Sequence, residues 1–452
     1  MDIDDKTPPE LKGIIELFNR NSLSYILFKC EHIFKGQNKN LDILFETDKD
    51  YRKAADLLEE KGFLLRLSER IERYKLMYCG LVKGRLISIH LHREIAWHGI
   101  KALDKIPVFE RKKIVTPQII IPSVEDSILI HAGHIIFENF RITEKERDIL
   151  NRINDSGIDR AYIKQQLVKN HWKIGFQKVM KVRERPSPFP KADIFISWLC
   201  KLSPEPSTVF YLSKKWIIAL LRKVDFRRKG CLITLSGVNG SGKSTLSRRT
   251  LEKYEELTKH LGVRQHYYYF GWKPEMPLTK LLSKLFKRQD HSLFKSINYR
   301  EGIKRFDLFQ ELLFSYSFAE FYYRYLRNVR PLLINGDLVI TDRYFYDFYG
   351  QHPYAKNSLV LRPLLKLFPK PDFSYILEVE LEKIINRKKV DKDKKEINQI
   401  QREVMPIPYL QRQIENYFHL ITLLKATRME NDGNLDENVQ RIIDDSWGKL
   451  IK

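Results

Sequence analysis

CLITLSGVNGSGKSTLSRRTLEKYEEL, Cys231 to Leu257, is the stretch on which the fold of this chain turns. CLITLS is apolar and long enough for a buried strand, and TLSRRTLEKYEEL has the composition of a helix. Between them GVNGSGKS, Gly237 to Ser244, satisfies the pattern GxxxxGK[ST]. Glycines at these positions let a loop curl until successive backbone N–H groups converge on phosphate oxygens at the helix N-terminus. Lys243 is then expected to reach the β- and γ-phosphates of a nucleoside triphosphate, and Ser244 to ligate Mg²⁺. The expected nucleotide site is Gly237, Val238, Asn239, Gly240, Ser241, Gly242, Lys243, Ser244 and Thr245, with ATP and Mg²⁺ as cofactors.

Further along stands GDLVITDRYFYD, Gly336 to Asp347. A turn at Asn335-Gly336 leads into an apolar strand that ends in Asp342-Arg343-Tyr344. In open parallel sheets ligands gather at the carboxyl ends of strands. A carboxylate there can hold a water on Mg²⁺, and a guanidinium can grip a second phosphate through two bonds. Asp342 is therefore expected beside Ser244 at the metal, and Arg343 at the acceptor. A surface ion pair is the plainer account of the same tripeptide.

With these residues in hand, the chain from about residue 229 to 445 resembles the thymidylate kinase family. GVNGSGKST resembles its phosphate loop, and PLLINGDLVITDRYFYD its acceptor-binding strand. KPDFSYILEVELEKIINRKK, Lys370 to Lys389, is similar to its fourth strand and the helix entering a mobile lid. ATRMENDGNLDENVQRII, Ala426 to Ile443, is similar to its closing strand and helix. The resemblance implies a P-loop NTPase fold with a parallel sheet, phosphoryl transfer to a nucleoside monophosphate or another phosphorylated small molecule, and room for a homodimer. It also implies that lid cations act on the transferring group, because Gly240 and Ser241 bring no arginine to the loop. Arg387 is the expected catalytic cation, with Lys388, Lys389, Lys392, Lys394 and Lys395 around it. A solvated face is the alternative for that run.

Three features depart from the family pattern. Asn239 replaces an acid that contacts the acceptor's sugar. HYYYFGWKPEMP, His266 to Pro277, stands where an arginine-proline-glycine signature belongs. The helix SFAEFYYRYLRN is unusually aromatic, which places the base-recognition arginine at Arg324. Tyr268, Phe270, Trp272, Tyr322 and Tyr323 either line an acceptor pocket or belong to the core.

The N-terminal stretch ILFKCEHIFKGQNKNLDILFETDKDYRKAADLLEEKGF resembles the start of a nucleotidyltransferase domain. That family sets two alternate acids on one strand, which share a face, and a third acid on a later strand. Here the positions read Asn40, Asp42 and His90. One carboxylate of three is a poor site for a hard ion that prefers oxygen ligands. A non-catalytic module is expected. His90 and His92 share a strand face and suit a transition metal, or are simply exposed.

The remaining observations set limits. At 452 residues the chain is too long for one ordinary core. We expect an α/β protein with a smaller α+β nucleotidyltransferase-like domain over 1–182, connecting helices over 183–228 and the P-loop domain over 229–452. RERPSPFPK, Arg183 to Lys191, breaks the pattern between them. The formal charge of +23 attracts an anion, whether a nucleotide, RNA or another polyanion, or reflects a lysine-rich surface. Cys30, Cys79, Cys200 and Cys231 form no CxxC pair and are expected as reduced thiols. The acidic MDIDDKTPPE is unlike a signal peptide. WIIALL, Trp216 to Leu221, is too short to span a membrane, so a cytoplasmic protein is expected. The alternatives to a kinase are a nucleotidyltransferase and a nucleotide-dependent binding module.

Overall fold

The computed structural model describes residues 9–29, 40–183, 191–202, 206–223, 227, 229–258, 263–271, 275–277, 279, 308–352, 355–385, 407–431 and 433–451. The chain divides into two compact units, Met1–Asp225 with Ile451–Lys452, and Phe226–Leu450. Among the described residues no helix is long and apolar enough to cross a membrane.

In the second unit the apolar run Cys231–Gly237 is buried along its whole length. It forms the middle of a five-stranded sheet in the order Gln265–Tyr269, Leu338–Asp342, Cys231–Gly237, Phe373–Glu378, Thr427–Glu430. All four pairings are parallel. Central parallel strands are covered on both faces, which is why LITLSG and LVITD carry apolar runs rather than alternation. The register sets Leu235 opposite Asp342 and Gly237 opposite Leu377. The segments that follow Gly237, Asp342 and Glu378 therefore leave the sheet at the same carboxyl end. Phe270, Phe321, Tyr344, Phe345 and Phe368 are all buried in one aromatic-rich cluster of this unit.

The first unit is built on another five-stranded sheet, ordered Tyr25–Leu27, Asn40–Phe45, Arg85–His92, Lys75–Val82, Leu64–Leu67. Asn40–Phe45 and Arg85–His92 run parallel, and the other neighbours are antiparallel. Alternation along the strands feeds two cores. Leu41, Ile43, Phe45, Ile87, Ile89 and Leu91 pack with the helices Pro9–Arg20 and Asp48–Glu60. On the other side Ile26, Phe28 and Leu44 join a core containing the helix Val124–His134. Sequence patterning misses the strand Lys75–Val82. Its signal is the dipeptide Lys83-Gly84, whose φ values of 49° and 71° make the tight hairpin turn that right-twisted strands favour. Two helices from the connecting stretch pack on this unit. Trp198 Nε1 donates to Ile136 O at 3.1 Å, and Tyr211 OH donates to Ile71 O at 2.9 Å. The side chains of Trp216 and of most of WIIALL lie outside the described residues. Cys79 and Cys231 are buried free thiols, and the side chains of Cys30 and Cys200 lie outside the described residues.

His352 gives the second unit a pH dependence. It is buried, among the described residues neither ring nitrogen has a hydrogen-bond partner, and it meets Phe314 edge-on at 4.9 Å. Burial pushes its pKa down to about 4. The unfolded chain takes up this proton near pH 6.5 and the folded chain resists it. The contribution is therefore intact above about pH 6.5 and is lost as pH falls toward about 4, by up to about 3 kcal/mol. Thermal melts of His352→Phe should show a flatter acid limb than the parent chain. Parallel acid limbs would contradict the assignment.

Candidate functional site

The site is the carboxyl edge of the second sheet, where the loop after Gly237 leads into the helix Lys243–Thr258. Gly237, Gly240 and Gly242 have φ values of 148°, 92° and 89°, in the region that side-chain-bearing residues avoid. A Cβ on Gly237 would stand 2.7 Å from Leu377 O, so the loop also needs glycine there for space. Lys243 is buried and folds back into the loop. Its Nζ donates to Gly237 O at 2.9 Å, Val238 O at 2.7 Å and Ser241 Oγ at 3.3 Å. From beyond the last strand, Asn431 Nδ2 donates to Ser241 O at 2.6 Å. Val238 is buried, Asn239 and Gly242 are half-buried, and Gly240, Ser244 and Thr245 are exposed.

Asp342 closes the neighbouring strand and meets the helix start. Ser244 Oγ donates to Asp342 Oδ2, which also accepts from Tyr267 OH at 3.1 Å. Burial, with the Asp342 carboxylate beside it, pushes the Tyr267 phenol up to about 12, so it remains a donor. Asp342 Oδ1 is buried without a hydrogen-bond partner among the described residues. A hydroxyl joined to a carboxylate with one oxygen unused is the oxygen donor set a hard divalent cation takes. The residues present fit Mg²⁺.

Arg343 has φ of 72°, outside the usual range for a non-glycine residue and costing about 1–3 kcal/mol. Its N–H donates to Leu235 O at 2.9 Å, which ties the turn to the central strand. The guanidinium thereby lies over the loop, where Nη2 donates to Asn239 Oδ1 and Nη1 to Asp347 Oδ1 at 3.3 Å. Burial alone would lower the Arg343 pKa, but the Asp347 carboxylate together with Tyr417, Tyr269 and Asp342 outweighs it and holds the guanidinium charged.

Asp347, the last residue of the strand motif, is a hub that the sequence reading misses. Ser236 Oγ donates to it at 2.6 Å, Tyr344 N at 2.9 Å and Tyr417 OH at 2.6 Å. Its spacing of four from Arg343 was the available signal, since residues i and i+4 meet across a helical turn. Tyr417, on the helix Ile407–Leu424, is 70 residues from Asp347 and has no local signal. Burial, then Asp347, raises the Tyr417 phenol far above its ordinary value. Beside the loop, Val238, Leu377, Val379, Tyr417 and Ile421 line an apolar groove.

Other expected residues fall elsewhere. Arg324 is fully buried beneath the site, not open to a base. Its Nη1 donates to Gly271 O at 2.7 Å and its Nη2 to Tyr269 O at 2.9 Å, so it anchors the end of the edge strand. Phe270 is core, Tyr268 OH is engaged by Asn328 and Glu275, and Tyr322 stacks on Phe318 at 5.7 Å. Tyr323 OH accepts from Arg327. Trp272, Arg387, Lys388, Lys389, Lys392, Lys394 and Lys395 lie outside the described residues. In the first unit Asp42, His90 and His92 converge, and the two histidines are half-buried and buried rather than exposed.

No protein-family model matches the chain. It is 26% identical over 206 residues to a probable thymidylate kinase of Pyrococcus abyssi, covering 45% of this chain and 88% of that protein. The same description applies to relatives in Pyrococcus horikoshii, 26% identical over 207 residues, and Thermococcus kodakarensis, 27% identical over 202. These cover 45% and 44% of this chain and 88% of each relative. The likenesses support a thymidylate-kinase-like region within the chain and suggest a nucleotide kinase.

Proposed function

We propose that the second unit is an ATP- and Mg²⁺-dependent phosphotransferase acting on a nucleoside monophosphate or another phosphorylated small molecule. The observation that carries this is the junction of Ser244 with Asp342 beside a Lys243 folded into its own loop. In this reading the loop from Gly237 to Thr245 wraps the triphosphate, and Lys243 exchanges its carbonyl partners for the β- and γ-phosphates. Mg²⁺, held by Ser244 and Asp342, supplies positive charge to the phosphates when bound. An acceptor that is already a phosphate needs little help from a general base. It needs in-line placement and cations around the transferring group. Arg343 serves the acceptor phosphate, and Asp347 is a positioning residue that keeps it charged and aimed. Asn239 is neutral where an acid would add a second negative charge beside Asp347. Arg387 is proposed to complete the charge around the transferring group. ADP release measured over a panel of nucleoside monophosphates and other phosphorylated acceptors tests the reading. Release that no acceptor stimulates would contradict it.

The first unit is proposed to be a nucleotidyltransferase-like module without transferase activity. A single acid cannot hold the pair of metals such transfer uses. Asp42→Ala should leave the kinase rate within a few fold. Asp42-dependent incorporation of labelled nucleotide into RNA or protein would overturn this assignment.

A further inference from the structure

Asp42 and His90 face each other across parallel strands, and His92 follows two residues on, so all three share one face of the sheet. His90 Nδ1 is 3.1 Å and His92 Nε2 is 3.2 Å from Asp42 Oδ1, and the three ligand atoms lie within 4.8 Å of one another. Lys29 Nζ stands 3.6 Å from the same oxygen. Two imidazole nitrogens and one ammonium thus gather on a single carboxylate oxygen. His92 is held edge-on to Phe28 at 4.4 Å, and its Nδ1 is buried without a hydrogen-bond partner among the described residues.

We infer that Asp42, His90 and His92 form a binding site for a divalent transition metal ion. Tetrahedral ligands with bonds of about 2.0–2.1 Å stand about 3.3 Å apart. The two nitrogen-to-oxygen separations match that edge. Two imidazoles and one carboxylate suit zinc, cobalt or iron and do not suit Mg²⁺. Three protein ligands leave a fourth position for water. In the metal-free chain the Lys29 ammonium supplies the compensating charge, and a metal ion takes over that role. Lys29 is therefore a competitor, not a ligand.

The test is titration of the full chain, free of any polyhistidine tag and of nucleotide, with cobalt(II) chloride followed by visible absorption. One equivalent should bind with the d–d bands of a low-coordinate ion. His90→Gln and Asp42→Asn should each weaken binding by more than about tenfold. Lys29→Met should tighten it by about two- to fivefold, which a merely structural cluster would not do. Thermal melts of each variant establish that it is folded. No uptake by the folded parent chain, or equal uptake by His90→Gln and Asp42→Asn, overturns the inference.

Discussion

Lys243→Ala should abolish ATP-dependent phosphoryl transfer while the chain remains folded. Lys243 is the cation that reaches into the loop, and its flexible stem lets one ammonium serve two sets of oxygens. In the structure these are Gly237 O, Val238 O and Ser241 Oγ. With nucleotide present they become phosphate oxygens. Removing the side chain frees two carbonyls that the loop must satisfy otherwise, at about 1–3 kcal/mol. That loss lowers the melting temperature without unfolding a unit whose core lies elsewhere. The catalytic loss is far larger, because charge placed on the transferring group is the main resource of this chemistry. Turnover and thermal melts on the same preparation check both halves. A folded Lys243→Ala protein with near-normal turnover would sink the kinase assignment.

Arg343→Ala should raise the acceptor's KM or lower kcat/KM by about ten- to a hundredfold and leave ATP affinity nearly unchanged. A charge-assisted arginine–phosphate contact contributes about 1.5–3 kcal/mol, which is the stated range of rates. The strained φ of 72° argues that this side chain is aimed for a purpose. Arg343→Lys should recover part of the loss, since an ammonium cannot reproduce the planar fork. Asp347→Asn should act in the same direction, because Asp347 holds the guanidinium in place. Paired titrations of ATP binding and acceptor kinetics separate the two sites. Weakened ATP with an unaffected acceptor would place Arg343 on the donor side.

The parts of the site that were legible are those in which chemistry is local in sequence. Gly237 to Ser244 is a continuous loop whose glycines are required by backbone angles, so spacing alone exposes it. Asp342 and Arg343 end an apolar run, and strand ends are where a parallel sheet presents its ligands. Tyr267, Tyr417 and Asn431 were not legible, because each reaches the site from a distant element, on to Asp342, Asp347 and Ser241 respectively, and only the packed sheet brings it there. Arg324 misled for the opposite reason. An arginine on an aromatic helix suggests recognition of a base, yet here its donors are consumed by Tyr269 O and Gly271 O in the interior. In the first unit, helix and strand periodicity was clear at Asp48–Glu60 and Arg85–His92. The hairpin partner Lys75–Val82 was hidden by its mixed composition, and Asp42 was read without its lysine neighbour.

The most direct measurement follows the γ-phosphate. The chain is incubated with γ-labelled ATP, Mg²⁺ and a nucleoside monophosphate, thymidylate first, and the products are separated. The account predicts label on the acceptor, dependent on Mg²⁺ and absent with Lys243→Ala. Label that appears only as inorganic phosphate, or remains on ATP with every phosphorylated acceptor tried, would contradict it.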